Sequence, residues 1–328
     1  MATKTPAPTP APRIAVINCD HTKDEFIKQF NIVPHLFRDL FRNFLQVKPS
    51  AAHPAPGGDT SNGWQVWNDG AFYFKGFDAT KYSATNPDFR WPDVEKEKID
   101  CILVGGSSNS VNDLMKTDTN LDWLKWLALL LADVAVHHPN VKLIGVCFGH
   151  QLLNHILYSA QIGTSPWEIG PYTVRLHDEH KYLFPGGDHL QIEMFHSEMA
   201  LTDAYYESVT KAREKVMDDK NSMFKHHVWG YTDTCKNEGT VVFYDDSSDK
   251  QIHVLTLQGH PELTEPMAVR LLELFSGGGG QLEAVPPLEA QKAAQRMEFF
   301  KAFAGELDWV RAAEAMWKVA TGAKFDKV

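Results

Sequence analysis

The chain has 328 residues, 43% hydrophobic and 23% charged, the proportions of a globular protein with room for one large domain or two modest ones. Its formal net charge of −10 argues against nonspecific nucleic-acid binding and against anionic membrane surfaces. The four cysteines, Cys19, Cys101, Cys147 and Cys235, form neither a C-x-x-C pair nor a disulfide framework, so a zinc ribbon is disfavoured and a reducing, cytoplasmic setting is expected.

Residues 1–12 are rich in Pro, Thr and Ala, lack an apolar core, and read as a disordered tail rather than a signal peptide. Residues 13–20, from Arg13 to Asp20, predict a buried strand with a polar, functional C-terminal edge. Phe30, Val33, Leu36, Phe37, Leu40, Phe41, Phe44 and Leu45 recur at helical spacing, which predicts one core-facing helix over 26–47. Residues 49–63 read as a loop and 64–76 as a strand or hairpin whose aromatics cover a sheet edge. Residues 99–106 predict a second buried strand ending in Gly105-Gly106, either a plain turn or a place where a backbone N–H points inward. A polar loop follows over 107–120. The apolar helix expected over 121–136 is too short to span a bilayer and carries Lys125 and Asp133.

Residues 141–146 predict a strand running into Gly145-Val146-Cys147-Phe148-Gly149, after which an apolar helical run begins. Strand, sharp turn and helix with a nucleophile at the turn is the layout of a nucleophile elbow, in which a Cβ at either glycine would clash. The alternative is a small buried cysteine in a Gly-rich turn. A free thiol with a pKa of about 8.5 is only a few per cent thiolate at pH 7. A helix N-terminus supplies at most about 2 kcal/mol, roughly 1.5 pKa units, so an active Cys147 also needs a base.

Downstream, 164–176, 226–231, 240–244 and 252–258 read as strands, and 191–198 as a strand leading into a polar loop. The last strand runs into Gly259-His260-Pro261-Glu262, where Glu262 can bond one ring nitrogen of His260 and leave the other for the sulfur; His260 could equally be a structural histidine. The remaining histidines form no spaced metal set, so no metal and no cofactor are expected. Residues 264–275 predict a helix. Residues 276–287 predict a Gly/Pro linker, and 288–328 an extension of one or two amphipathic helices that either pack on the preceding domain or make a partner contact. Alternation of strands and helices predicts an α/β protein with a mostly parallel central sheet, with hairpins after Leu176.

The segments Val104-Gly105-Gly106, Gly145-Val146-Cys147-Phe148-Gly149-His150-Gln151 and Gln258-Gly259-His260-Pro261-Glu262, in that order, resemble the class I (triad-type) glutamine amidotransferase superfamily across residues 13–275. Trp167-Glu168-Ile169-Gly170 and Phe195-His196-Ser197-Glu198 match further short motifs of that family. Ser107-Ser108 departs from it, since Pro often follows the second glycine there. The resemblance implies a three-layer flavodoxin-like sandwich and cleavage of a small-molecule γ-glutamyl amide. It implies Cys147 as nucleophile, His260 as base and acid, Glu262 as its orienter, and the amides of Gly106 and Phe148 as the oxyanion hole. Gln151, His196, Ser197 and Glu198 would line the substrate pocket. Three functions stay open: a stand-alone γ-glutamyl peptidase or hydrolase, a glutaminase subunit feeding a separate synthase, and a non-catalytic binding relative. A homo-oligomer is a further expectation for partners.

Overall fold

Hydrophobic period decides each element. The strand at the N-terminus sends Ile14 and Val16 into one cluster of buried side chains and Ala15 and Ile17 into another, so both faces of the sheet are covered. A computed structural model describes residues 11–21, 24–48, 63–67, 70–83, 85–86, 88–201, 226–244, 251–276, 285–303 and 306–325. In chain order these form β1 (Arg13–Asn18), α1 (Asp24–Phe30), α2 (Val33–Val47), β2 (Gln65–Trp67), β3 (Phe72–Asp78), β4 (Cys101–Val104), α3 (Asp122–His137), β5 (Lys142–Val146), α4 (Phe148–Tyr158) and β6 (Ile162–Leu176). There follow β7 (His189–Ala200), β8 (His226–Tyr231), β9 (Gly239–Phe243), β10 (Ile252–Leu257), α5 (Glu265–Ser276), α6 (Pro287–Phe303) and α7 (Trp309–Thr321).

Ten strands form one sheet in the order β2-β3-β1-β4-β5-β10-β9-β8-β6-β7. The run β3-β1-β4-β5-β10 is parallel. Pairing of β2 with β3, and every pairing from β10 out to β7, is antiparallel. The sheet is therefore mixed, which corrects the expectation of a mostly parallel one. Its parallel half is joined through α1 and α2, through α3 and α4, and from β3 to β4 through a segment with no α-helix among its described residues. Its other half starts with β6, a 15-residue strand joined to β7 through a 3₁₀ turn rather than a crossover helix.

Helices α2 and α7 cover one face through Phe37, Phe41, Phe44, Met316 and Trp317, and α3 and α4 cover the other through Trp123, Leu127, Leu131, Leu152 and Leu153. The single helix expected over 26–47 is two. Asn31 adopts φ 89° and its Oδ1 accepts from the Ile32 amide, while Pro34 fits only the first turn of a new helix. The expected polar loop at 196–198 is also different: β7 runs on to Ala200 and stays paired with β6, with Glu168 opposite His196.

Most of the segment expected to link the last helices, residues 277–284, lies outside the described residues, as do residues 1–10 of the expected tail. Helix α6 lies against β6, where the Arg296 guanidinium donates to Ile169 O at 2.8 Å and stacks 4.2 Å over the Tyr172 ring. Helix α7 buries Ala312, Ala313, Met316, Trp317 and Val319 in the same cluster as β1 and β3. Among the described residues no helix is long and apolar enough to cross a membrane.

Candidate active site

The turn after β5 holds Cys147 at φ 53° and ψ −107°, a conformation that residues with a Cβ rarely adopt. Three backbone bonds hold it there. The Cys147 amide donates to Leu257 O at 2.8 Å, the Gln151 amide to Cys147 O at 3.0 Å, and the Gly149 amide to Gly105 O at 3.2 Å. The flanking glycines are required by space. A Cβ on Gly145 would sit 2.5 Å from Gly149 O, and one on Gly149 would sit 2.2 Å from Val104 O. The helix approaches its own strand too closely for a side chain at Gly145, and the neighbouring strand β4 too closely for one at Gly149.

The end of β4 delivers Gly105-Gly106 beside this turn. A Cβ on Gly106 would lie 3.1 Å from His260 Cε1 and 3.8 Å from Cys147 Cβ, so Gly106 stands against both residues at once. The next two residues are anchored to the end of β1. Ser107 Oγ donates to Cys19 O, and the Ser108 amide donates to Asp20 Oδ1 at 2.9 Å. The polar edge expected at Asp20 thus holds the loop that opens with Ser107-Ser108. Phe148 opens α4, where first-turn amides have no acceptor within the helix.

His260 arrives from the end of β10. Its amide donates to Glu193 O at 2.8 Å on β7, and its Nδ1 lies 2.7 Å from Glu262 Oε1. Burial by itself would lower the imidazole pKa, but the charges of Glu262 and of the Cys147 sulfur outweigh it and hold the ring well above its ordinary value. All nine residues anticipated from the sequence, Gly106, Cys147, Phe148, Gln151, His196, Ser197, Glu198, His260 and Glu262, line one cavity of about 430 Å³.

Within that cavity several polar side chains are occupied by the protein itself. Gln151 Nε2 donates to Glu198 O at 2.9 Å and to Gln258 Oε1 at 3.0 Å. Glu198 Oε1 accepts from Ser110 Oγ at 2.8 Å, and Asn112 Nδ2 donates to Ile162 O, which ties the segment after Gly106 to β7 and β6. His196 faces Glu198 O with Nδ1 at 3.0 Å and Glu168 Oε2 with Nε2 at 3.0 Å. These residues build the wall as much as they present groups to a ligand.

Sequence reasoning flagged Glu168 only as part of a short motif and missed its setting. Thr232 Oγ1 donates to Glu168 Oε1 at 2.6 Å, and Thr234 Oγ1 donates to the same oxygen. Burial would raise the carboxyl, but His196 and the two hydroxyls prevail and bring it down to about 2. The neighbouring Glu238 is pushed well up, first by burial and then by the charge of Glu168. Glu168, His196 and Glu238 are, among the described residues, the one group whose ligating atoms lie close enough, within 4.8 Å, to hold a cation. The Thr232 and Thr234 hydroxyls satisfy one oxygen of Glu168, and its other oxygen faces His196. The β6–β7 register that pairs residues 168 and 196 carries no sequence signal.

No protein-family model matches the chain. A Schizosaccharomyces pombe protein provisionally named glutamine amidotransferase-like is 25% identical over 202 residues, 61% of this chain and 66% of that protein. A Saccharomyces cerevisiae protein provisionally named a glutamine amidotransferase is 26% identical over 181 residues, 54% of this chain and 58% of that protein. Both alignments span less than two thirds of the relative's length. A glutamine amidotransferase structure from Thermotoga maritima superposes with a TM-score of 0.52 and 14% identity, covering 93% of this chain and 97% of that one. One from Methylobacillus flagellatus gives 0.51 and 16%, covering 98% of each. In sequence the chain is thus similar to proteins named glutamine amidotransferase-like, and in fold to solved glutamine amidotransferases.

Proposed function

We propose that the protein is a cysteine-dependent enzyme that cleaves a γ-glutamyl amide through a thioester on Cys147. The observation that carries this reading is the strained Cys147 turn, meeting a buried His260 whose Nδ1 is 2.7 Å from Glu262, with Gly106 against both. A packing cysteine requires none of these features.

In this mechanism His260 takes the thiol proton and the sulfur attacks the γ-carbonyl carbon. The carbonyl π electrons move to oxygen, which accepts hydrogen bonds from the Gly106 and Phe148 amides. Collapse breaks the C–N bond, His260 gives its proton to the leaving nitrogen, and a γ-glutamyl thioester remains. Water then attacks, His260 takes its proton and passes it to the departing sulfur, and glutamate leaves. A raised imidazole pKa favours the imidazolium–thiolate pair with which the cycle starts.

The names of the curated relatives favour a second reading, a glutaminase subunit that hands ammonia to a separate synthase. Glutamate release from glutamine, glutathione and a glutathione S-conjugate separates the two. A stand-alone hydrolase turns over at least one of them unaided, whereas a subunit works slowly on glutamine and is stimulated by a partner. Cys147→Ala should abolish release in either case. Release that survives this substitution would refute the assignment.

A further inference from the structure

A second cavity, of about 530 Å³, shares Leu36, Glu262 and Leu263 with the first but is lined by neither Cys147 nor His260. Its walls come from α2, β7, α5, α6 and the start of α7. They are largely apolar, with Leu40, Met267, Met297, Phe300 and Trp309 among them. The ionisable groups it exposes are Asp39, Glu193, Glu262, Glu265 and Glu306 against Lys301. Lys301 is engaged with Glu265 at 3.1 Å, and Asp39 is held by Arg38 at 2.9 Å.

Two of the carboxyls are unlike the rest. Glu193 is only 2% exposed, and its Oε1 has no hydrogen-bond partner among the described residues. Glu262, 7% exposed, gives Oε1 to His260, and its Oε2 likewise has no partner. A buried acceptor without a donor is costly, so native proteins rarely keep one without a use. Burial also drives the Glu193 carboxyl up to about 8, and the charge of His260 only partly opposes this. Lys301, the cation in the lining, is paired with Glu265, and no side-chain donor of the described residues meets Glu193 Oε1.

We propose that this cavity binds a protonated alkylamine, whose ammonium donates to Glu193 and whose hydrocarbon lies along the apolar walls. An ammonium has three donors and no acceptor, so its arrival favours the ionised, acceptor-only form of Glu193 over the protonated form that burial alone favours. An alcohol of the same length fits the walls but offers one donor and no charge. Glu262, which holds His260, lines both cavities. The site does not depend on the chemistry assigned to Cys147.

Calorimetric titration of the full chain with hexan-1-amine, and with hexan-1-ol as the neutral control, tests the proposal without any substitution. The amine should bind saturably, and the alcohol at least roughly tenfold more weakly. Glu193→Gln should weaken the amine by roughly tenfold or more, while Glu198→Gln, in a residue that lines only the first cavity, should change it less than about twofold. Absence of saturable amine binding, equal binding of the alcohol, unchanged affinity in Glu193→Gln, or an equal loss in Glu198→Gln would each overturn it.

Discussion

At the scale of single residues, the site depends on carboxyls whose surroundings set their charge. Glu262 keeps the His260 ring oriented through a 2.7 Å bond, and Glu262→Gln replaces an anionic acceptor with a neutral amide. Turnover of a γ-glutamyl amide should fall by roughly 10²–10⁴-fold with the fold intact, checked by glutamate release and circular dichroism. Glu193 behaves in the opposite way to a paired carboxylate. Its folded pKa of about 8 lies above the ordinary carboxylate value, so its contribution to stability is full below about pH 4.5 and is lost as pH rises through 8. Glu193→Gln removes that loss. Chemical denaturation should find it more stable than the wild type by roughly 4 kcal/mol at pH 7.5, and no more stable at pH 4.5.

At the scale of elements, the elbow shows what a sequence can reveal. Gly145 could be read as sterically required because the reason is local: strand and helix meet within five residues, and a Cβ there would lie 2.5 Å from Gly149 O, whereas Gly149 is required by the neighbouring strand β4, whose Val104 O a Cβ would approach to 2.2 Å. Gly149→Ala gains about 1 kcal/mol of helix propensity and pays about 1–3 kcal/mol for overpacking against Val104 O. Urea denaturation should therefore show a net loss of stability. His260 and Glu262 were legible for the same local reason, two residues apart after a strand. The environments of Glu193 and of Glu168, His196 and Glu238 were not. Residue 168 meets 196 only through the β6–β7 register, and Glu193 sits between Ile192 and Met194 in a strand buried on both faces, where alternation gives no warning of a charged residue.

At the scale of the whole molecule, the first half of the sheet followed from strand–helix alternation and the hairpins after Leu176 from strand spacing, whereas the size of the antiparallel half did not, because antiparallel returns leave the same short apolar runs in the sequence as parallel strands do. The role of the C-terminal residues also emerged only in three dimensions. Trp317 is 2% exposed and stands 5.8 Å from both the Phe41 and the Phe72 rings, so α7 closes the sheet face that α2 leaves uncovered. Trp317→Ala should cost about 3–5 kcal/mol by denaturant unfolding, a core-sized loss rather than that of a peripheral appendage.

The claim that matters most is that the Cys147 sulfur carries the γ-glutamyl group. Hydroxylamine added during turnover of a γ-glutamyl amide intercepts a thioester and yields γ-glutamyl hydroxamate. Substrates with different leaving amines should then give the same ratio of hydroxamate to glutamate, and Cys147→Ala protein should give neither product. A ratio that changes with the leaving amine, or products from the Cys147→Ala protein at the wild-type rate, would contradict the account.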